Sequence, residues 1–141
     1  DGMKTEDIKN ADVILLGVSR TSKTPTSIYL ANRGYKTLNI PLVNKQEIPK
    51  SLKEAHDKFC VIGLVVEASR LSDIRTNRLE IMKEVNIPNY SNLETVQKEL
   101  EESKKLFKKY NWPVIDVTRK SVEETAASVI RIHEIKKGKK K

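Results

Sequence analysis

One cysteine, two histidines, five glycines and five prolines in 141 residues leave several kinds of protein without material. A single thiol forms no disulfide within the chain and no cysteine-based zinc site, so the fold has to rest on a packed core. Cys60 sits in the apolar run Cys60-Val61-Ile62-Gly63-Leu64-Val65-Val66, the setting of a small buried hydrophobe in a reducing compartment. His56 and His133 have no nucleophile or metal-spaced partner nearby in sequence, so neither enters the candidate site. No apolar stretch approaches the roughly 18 residues that cross a bilayer. No charged-then-apolar leader precedes the first apolar run, which makes a cytoplasmic protein the default, with a mature plastid or mitochondrial form left open. No internal repeat or low-complexity block is present apart from the C-terminal lysines.

Those lysines also account for most of the charge. The formal net charge is +8, and five of the last six residues are Lys136, Lys137, Lys139, Lys140 and Lys141; taking those five charges away leaves +3. A lysine run beside one glycine reads as a solvated, disordered tail over residues 136–141 and not as a nucleic-acid element. The remaining 1–135 form one domain, with 38% hydrophobic residues to supply its core.

Within that domain, strand and helix signals alternate. Val13-Ile14-Leu15-Leu16 ends at Gly17 as a buried strand does, and residues 24–33 follow as a helix with Pro25 in its first turn and Gly34 just past its end. Residues 36–40 predict a second strand stopped by Pro41, and residues 49–57 a brief helix. The run 60–66 is the most apolar in the chain, which places it near the middle of a parallel sheet. Ser72 is predicted to cap a helix over 73–82, and Asn92 a longer one reaching about Tyr110, with Leu93, Val96, Leu100, Leu106 and Phe107 as its apolar stripe. Val114-Ile115-Asp116-Val117 makes a fourth strand, and Ser121-Val122-Glu123-Glu124 opens the last helix with a capping box. The expected fold is α/β: a three-layer, P-loop NTPase-like domain with a mostly parallel sheet and helices on both faces, which binds ligands beyond the carboxyl ends of its strands.

The residues at such an end carry chemistry. Gly17, Val18, Ser19, Arg20, Thr21, Ser22, Lys23 and Thr24 follow the spacing G-x-x-x-x-G-K-[ST] except that Ser22 stands where glycine is usual. Between a buried strand and a helix start, such a loop presents backbone N–H groups and a helix N-terminus to phosphate oxygens. Lys23 adds a full charge, Thr24 a hydroxyl for Mg²⁺, and Arg20 a bidentate contact. The alternative is a polar turn that happens to contain Ser-Lys-Thr.

The stretch from Ala11 to Pro25 resembles the nucleotide loop of the regulatory proteins of pyruvate, phosphate dikinase and phosphoenolpyruvate synthase. The resemblance continues through Asn39-Ile40-Pro41-Leu42-Val43, through Ser72-Asp73-Ile74-Arg75-Thr76-Asn77-Arg78-Leu79, through Trp112-Pro113-Val114-Ile115-Asp116-Val117-Thr118 and through Ser121-Val122-Glu123-Glu124-Thr125-Ala126. It implies a bifunctional cytoplasmic enzyme: an ADP-dependent serine/threonine kinase that phosphorylates a threonine of its target, and a phosphorylase that removes the group with inorganic phosphate, releasing pyrophosphate. The Thr-Ser-Lys-Thr loop resembles the dikinase branch, so Ser22 is a family trait. Family members are about twice as long, with this loop opening the second half and Asp1-Gly2 matching the end of an Asp-Asp-Gly segment, so an N-terminal half is expected beyond this chain.

On this resemblance Lys23 stabilises the moving β-phosphoryl group. Asp1, Glu67 and Asp116 are the carboxylates from which a base or metal-shell group would come, with Glu67 preferred. Arg75 and Arg78, beside Arg70, are placed to meet the substrate phosphate, and Thr24 to hold Mg²⁺. Tyr90 and Trp112 read as packing residues. The expected partner is pyruvate, phosphate dikinase, with no specific nucleic acid and no membrane; a homodimer is compatible with the pattern. The competing readings are the same chemistry on phosphoenolpyruvate synthase, a non-catalytic nucleotide-binding module, and an RNA-associated domain driven by the lysine tail.

Overall fold

A computed structural model of the chain describes residues 8, 10–18, 20–42, 59–82 and 91–139. Its elements run in the order β1 (Val13–Gly17), α1 (Lys23–Asn32), β2 (Thr37–Pro41), β3 (Val61–Val65), α2 (Ala68–Met82), α3 (Leu93–Lys109), β4 (Val114–Asp116) and α4 (Val122–Lys139). The brief helix expected over 49–57 lies outside the described residues, as do His56 and Tyr90.

All four strands pair in parallel in the order β2-β1-β3-β4. β1 and β3 take the centre, and every residue of both is buried, as continuous apolar runs require when each face is covered. Alternation along the strands divides the core into two layers. Val13 and Leu15 of β1 and Ile62 and Leu64 of β3 pack with Leu30 of α1, Leu71 of α2 and Ala126 and Val129 of α4. On the opposite face Ile14, Leu16, Val61 and Val65 meet Phe107 of α3 and Trp112. Helices therefore cover both faces of the sheet, and the α/β expectation stands.

Gly63 shows why a glycine belongs in that second layer: a Cβ there would lie 2.5 Å from the Phe107 ring, which rests directly on β3. Gly34, at φ 90°, ends α1 in the left-handed conformation, its N–H donating to Ala31 O at 3.0 Å.

Three expectations need correction. α2 begins at Ala68, so Ser72 is not its cap; its hydroxyl instead donates to Ser91 O, drawing the start of α3 toward α2. Leu93 is 44% exposed, and the buried stripe of α3 is Val96, Leu100, Ser103 and Phe107. The lysine run is not disordered from 136 onward, because α4 continues through Lys139. Ile132 and Lys136, one turn apart, line the same cavity beside Trp112, so the lysine stem continues the packed face of the helix.

Candidate functional site

Following the chain from β1 to β2 moves to one side of β1, whereas β3 to β4 moves to the other, so the strand order reverses between β1 and β3. Loops leaving the carboxyl ends of two such strands diverge and leave a crevice between them. The 17–24 loop follows β1 and Glu67 follows β3, at that crevice.

Gly17 makes the loop's tight start possible. A Cβ at this position would lie 2.6 Å from Thr21 Oγ1 and 3.0 Å from Leu64 O of the neighbouring strand. The Thr21 hydroxyl donates to Val18 O at 2.8 Å, closing the turn on itself. The Lys23 ammonium folds back over the loop, donating to the same Val18 O at 2.7 Å and to Thr21 Oγ1 at 3.3 Å. Both of its acceptors are neutral.

Ser22 and Arg20 reach φ values of 66° and 70°, the left-handed region that glycine enters without cost. Ser22 thus takes up a left-handed backbone that glycine, usual at this position of the motif, would adopt freely. As the N-cap of α1 its side chain makes no capping bond, and the first turn carries no acidic residue. The first helical bond is Thr26 N–H to Ser22 O at 3.1 Å; among the described residues, none accepts a bond from the main-chain amides of Arg20, Thr21, Ser22, Lys23 or Thr24. Among the described residues, nothing offsets the donors and partial positive charge that this helix end presents.

Lys23 is 9% exposed. Burial, assisted by the like charges of Arg75 and then Arg20, lowers its ammonium from the usual 10.5 to about 8. The ammonium has been taken out of water and given neutral acceptors, a state that an anion would relieve.

The other predicted residues divide. Arg75 is 1% exposed, and its guanidinium pairs in bidentate fashion with Glu99 of α3, at 2.9 Å and 3.1 Å. Leu71, one turn earlier on the same face of α2, belongs to the same core cluster as Val18, and Arg75 is near enough to Lys23 for its charge to act on the ammonium. Arg70 and Arg78 are exposed. Glu67, also exposed, accepts from the Ser69 hydroxyl at 2.9 Å, and its N–H donates to Thr118 Oγ1 at 2.8 Å. Asp116 closes β4 rather than lying mid-strand. Its carboxylate accepts from the hydroxyl and the N–H of Thr118, bonds that hold it below the usual carboxylate range, and so serves a turn. Thr24 is exposed in the first turn of α1, where its hydroxyl is open to a ligand. Among the described residues, no three His, Cys, Asp or Glu side chains gather as a metal cluster. Asp1 and Ser19 lie outside the described residues.

Two residues of this end of the sheet went unnoticed in the sequence. Thr118 ties the ends of β3 and β4 together, and the Asp-x-Thr spacing was a local signal for it. Glu99 carries no such signal, since 24 residues separate it from Arg75.

Parallel sheet, strand-order reversal and glycine-started loop together define an α/β protein with a P-loop-like arrangement. A profile of the kinase/pyrophosphorylase family matches residues 1–130, so the chain belongs to that family. It is 65% identical over 137 residues to a protein of Pelagibacter ubique (strain HTCC1062) provisionally named pyruvate, phosphate dikinase regulatory protein, covering 97% of this chain and 50% of that one. Proteins with the same provisional name from Bartonella bacilliformis and Erythrobacter litoralis are 50% and 51% identical, each over 94% of this chain and 47% and 48% of their own length. The chain spans about half the length of these relatives. No helix among the described residues is long and apolar enough to cross a membrane.

Proposed function

We propose that the 17–24 loop binds ADP, and that the protein uses it as an ADP-dependent kinase on a threonine of pyruvate, phosphate dikinase and, in reverse, as a phosphate-dependent phosphorylase. The observation that carries the nucleotide reading is the start of α1, where bare amides, an uncapped N-terminus and a desolvated Lys23 converge with no acidic residue in the first turn. A diphosphate supplies what that arrangement lacks. The family and the names of the relatives support the choice of reaction and target.

In the kinase direction the threonine oxygen bonds to the β-phosphorus of ADP and the bond to the bridging oxygen breaks, releasing AMP while the threonine proton passes to a base. Lys23, beside the moving group, stabilises charge that accumulates on its oxygens. Loss of one such contact costs on the order of 10²-fold in rate. Glu67, at the mouth of the crevice, serves as base or metal-shell carboxylate. Thr24 would hold Mg²⁺ through its hydroxyl, and the ion would supply charge neutralisation at the phosphates. Arg78, exposed on α2, and Arg75, one turn earlier and held by Glu99, would supply the positive charge that draws in phosphothreonine or inorganic phosphate. In the reverse direction phosphate oxygen attacks the phosphothreonine phosphorus, giving pyrophosphate and free threonine.

The test is transfer of label from β-labelled ADP to the dikinase, run beside the synthase, with the complete protein. Labelled phosphothreonine on the dikinase with matching AMP is expected, followed by labelled pyrophosphate on adding phosphate. ADP binding with no transfer to either protein would reduce the molecule to a nucleotide-binding module. Salt-steep RNA binding that survives Lys23→Ala and fails on removing residues 136–141 would instead favour an RNA partner.

A further inference from the structure

Resting on the nucleotide reading of the loop, we infer that Glu99 is a positioning residue of the phosphate site: its carboxylate fixes Arg75 as an immobile cation near Lys23, so that nucleotide binding depends on α3, a helix distant from the loop in sequence. Arg75 is among the largest fully buried side chains of the protein. A buried guanidinium is stable only with a partner matched to it, and the fork-to-carboxylate geometry with Glu99 is that match. Glu99 retains 18% side-chain exposure, so the pair stands at the margin of the core, open toward solvent on the α3 side.

Charge arithmetic shows why the pair serves more than packing. Lys23, Arg20 and Arg75 bring three positive charges to the loop, and the proton affinity of Lys23 is lowered first by burial and then by the like charges of Arg75 and Arg20. Glu99 compensates one of the three. A carboxylate near a polyanion site weakens binding if field alone matters, so its removal should then tighten ADP. If its task is to hold the guanidinium in place, removal should loosen ADP instead. The two roles predict opposite signs.

The experiment measures ADP affinity and unfolding for the wild type, Lys23→Ala, Glu99→Gln, Glu99→Asp and the double variant Glu99→Gln/Arg75→Met. Glu99→Gln is expected to weaken ADP by about tenfold, the loss of one charge-assisted contact, with Glu99→Asp recovering part of it. If Glu99→Gln fails to fold, the double variant, which removes both members of the Arg75–Glu99 pair, carries the test: wild-type unfolding with ADP still about tenfold weaker. Affinity equal to or above wild type in a folded Glu99→Gln or double variant overturns the inference. Wild-type ADP binding that Lys23→Ala abolishes but the double variant keeps removes this inference alone. A wild type that binds no ADP removes the loop reading first and this inference with it.

Discussion

Two strand-to-helix junctions at the same edge of the sheet solve one problem in opposite ways. After β4, Ser121 and Glu124 form a reciprocal capping box, each side chain accepting from the other's N–H at 3.1 Å, and Glu123 and Glu124 place negative charge in the first turn of α4. The Ser121 N–H and hydroxyl hold the Glu124 carboxyl below its usual range. After β1, the cap of α1 has a left-handed backbone and no side-chain bond, its first turn holds no acid, and a lysine is buried against it. One helix brings its own counter-charge; the other stands ready for an external one. Two junctions built from similar residue types on one sheet thus separate a structural turn from a binding turn by what each leaves unsatisfied.

The largest effect expected from breaking this contrast is Lys23→Ala, which should lower ADP affinity by about 100-fold, the scale of losing a desolvated charge at a phosphate. Glu124→Gln at the other junction should leave it within about twofold in the same titration. Gly17→Ala comes next. The new methyl must displace Thr21 or the Leu64 carbonyl, costing about 2 kcal/mol in denaturant unfolding and spoiling the loop.

A pH series sharpens the comparison further. Lys23 in the folded free protein loses its proton near pH 8, whereas in the unfolded chain it does so near 10.5. ADP affinity should therefore hold below pH 8 and fall above it by up to about tenfold per unit, with protons taken up on binding. Its contribution to the free protein's stability has the opposite slope. Below pH 8 both states carry the charge and the folded state bears its full burial cost; from about 8 to 10.5 only the unfolded state stays protonated, and stability rises. Calorimetric titrations in buffers of different ionisation enthalpy would show the proton uptake. Lys23→Ala should abolish both trends.

Much of this was legible in the sequence because the physics is local. Apolar runs ending in glycine became the central strands, Asn92 caps α3 by accepting from Thr95 N–H, and the Ser-x-x-Glu pattern became a capping box with both bonds formed. The spacing of the 17–24 loop located the bare helix end. What local patterns did not carry was the partner of each long side chain. Arg75 reads as one of three arginines on a basic stretch, and only tertiary folding brings Glu99 to it and takes it out of water. Ser72 failed as a cap for the same reason: its hydroxyl was claimed by Ser91, 19 residues away, while Glu67 O accepts from Leu71 N–H a turn earlier.

Smaller changes test the two caps directly. Ser121→Ala should cost about 1 kcal/mol in thermal or denaturant unfolding and leave ADP affinity unmoved. Ser22→Gly should stabilise by about 0.5 kcal/mol, since relief of the left-handed backbone is largely offset by the extra freedom glycine gives the unfolded chain. A destabilising Ser22→Gly would mean that the serine side chain makes a contribution its position does not reveal.

The missing side chain at Gly63 reaches further than the patch of sheet it flattens. Because the Phe107 ring is seated on that bare backbone, α3 is pegged at one end, and Glu99 stands eight residues up the same rod, about 12 Å away. A methyl at position 63 would tip the rod and swing its carboxylate off the arginine, so the aim of a cation at one rim of the molecule is set by the smallest residue in the middle of its floor.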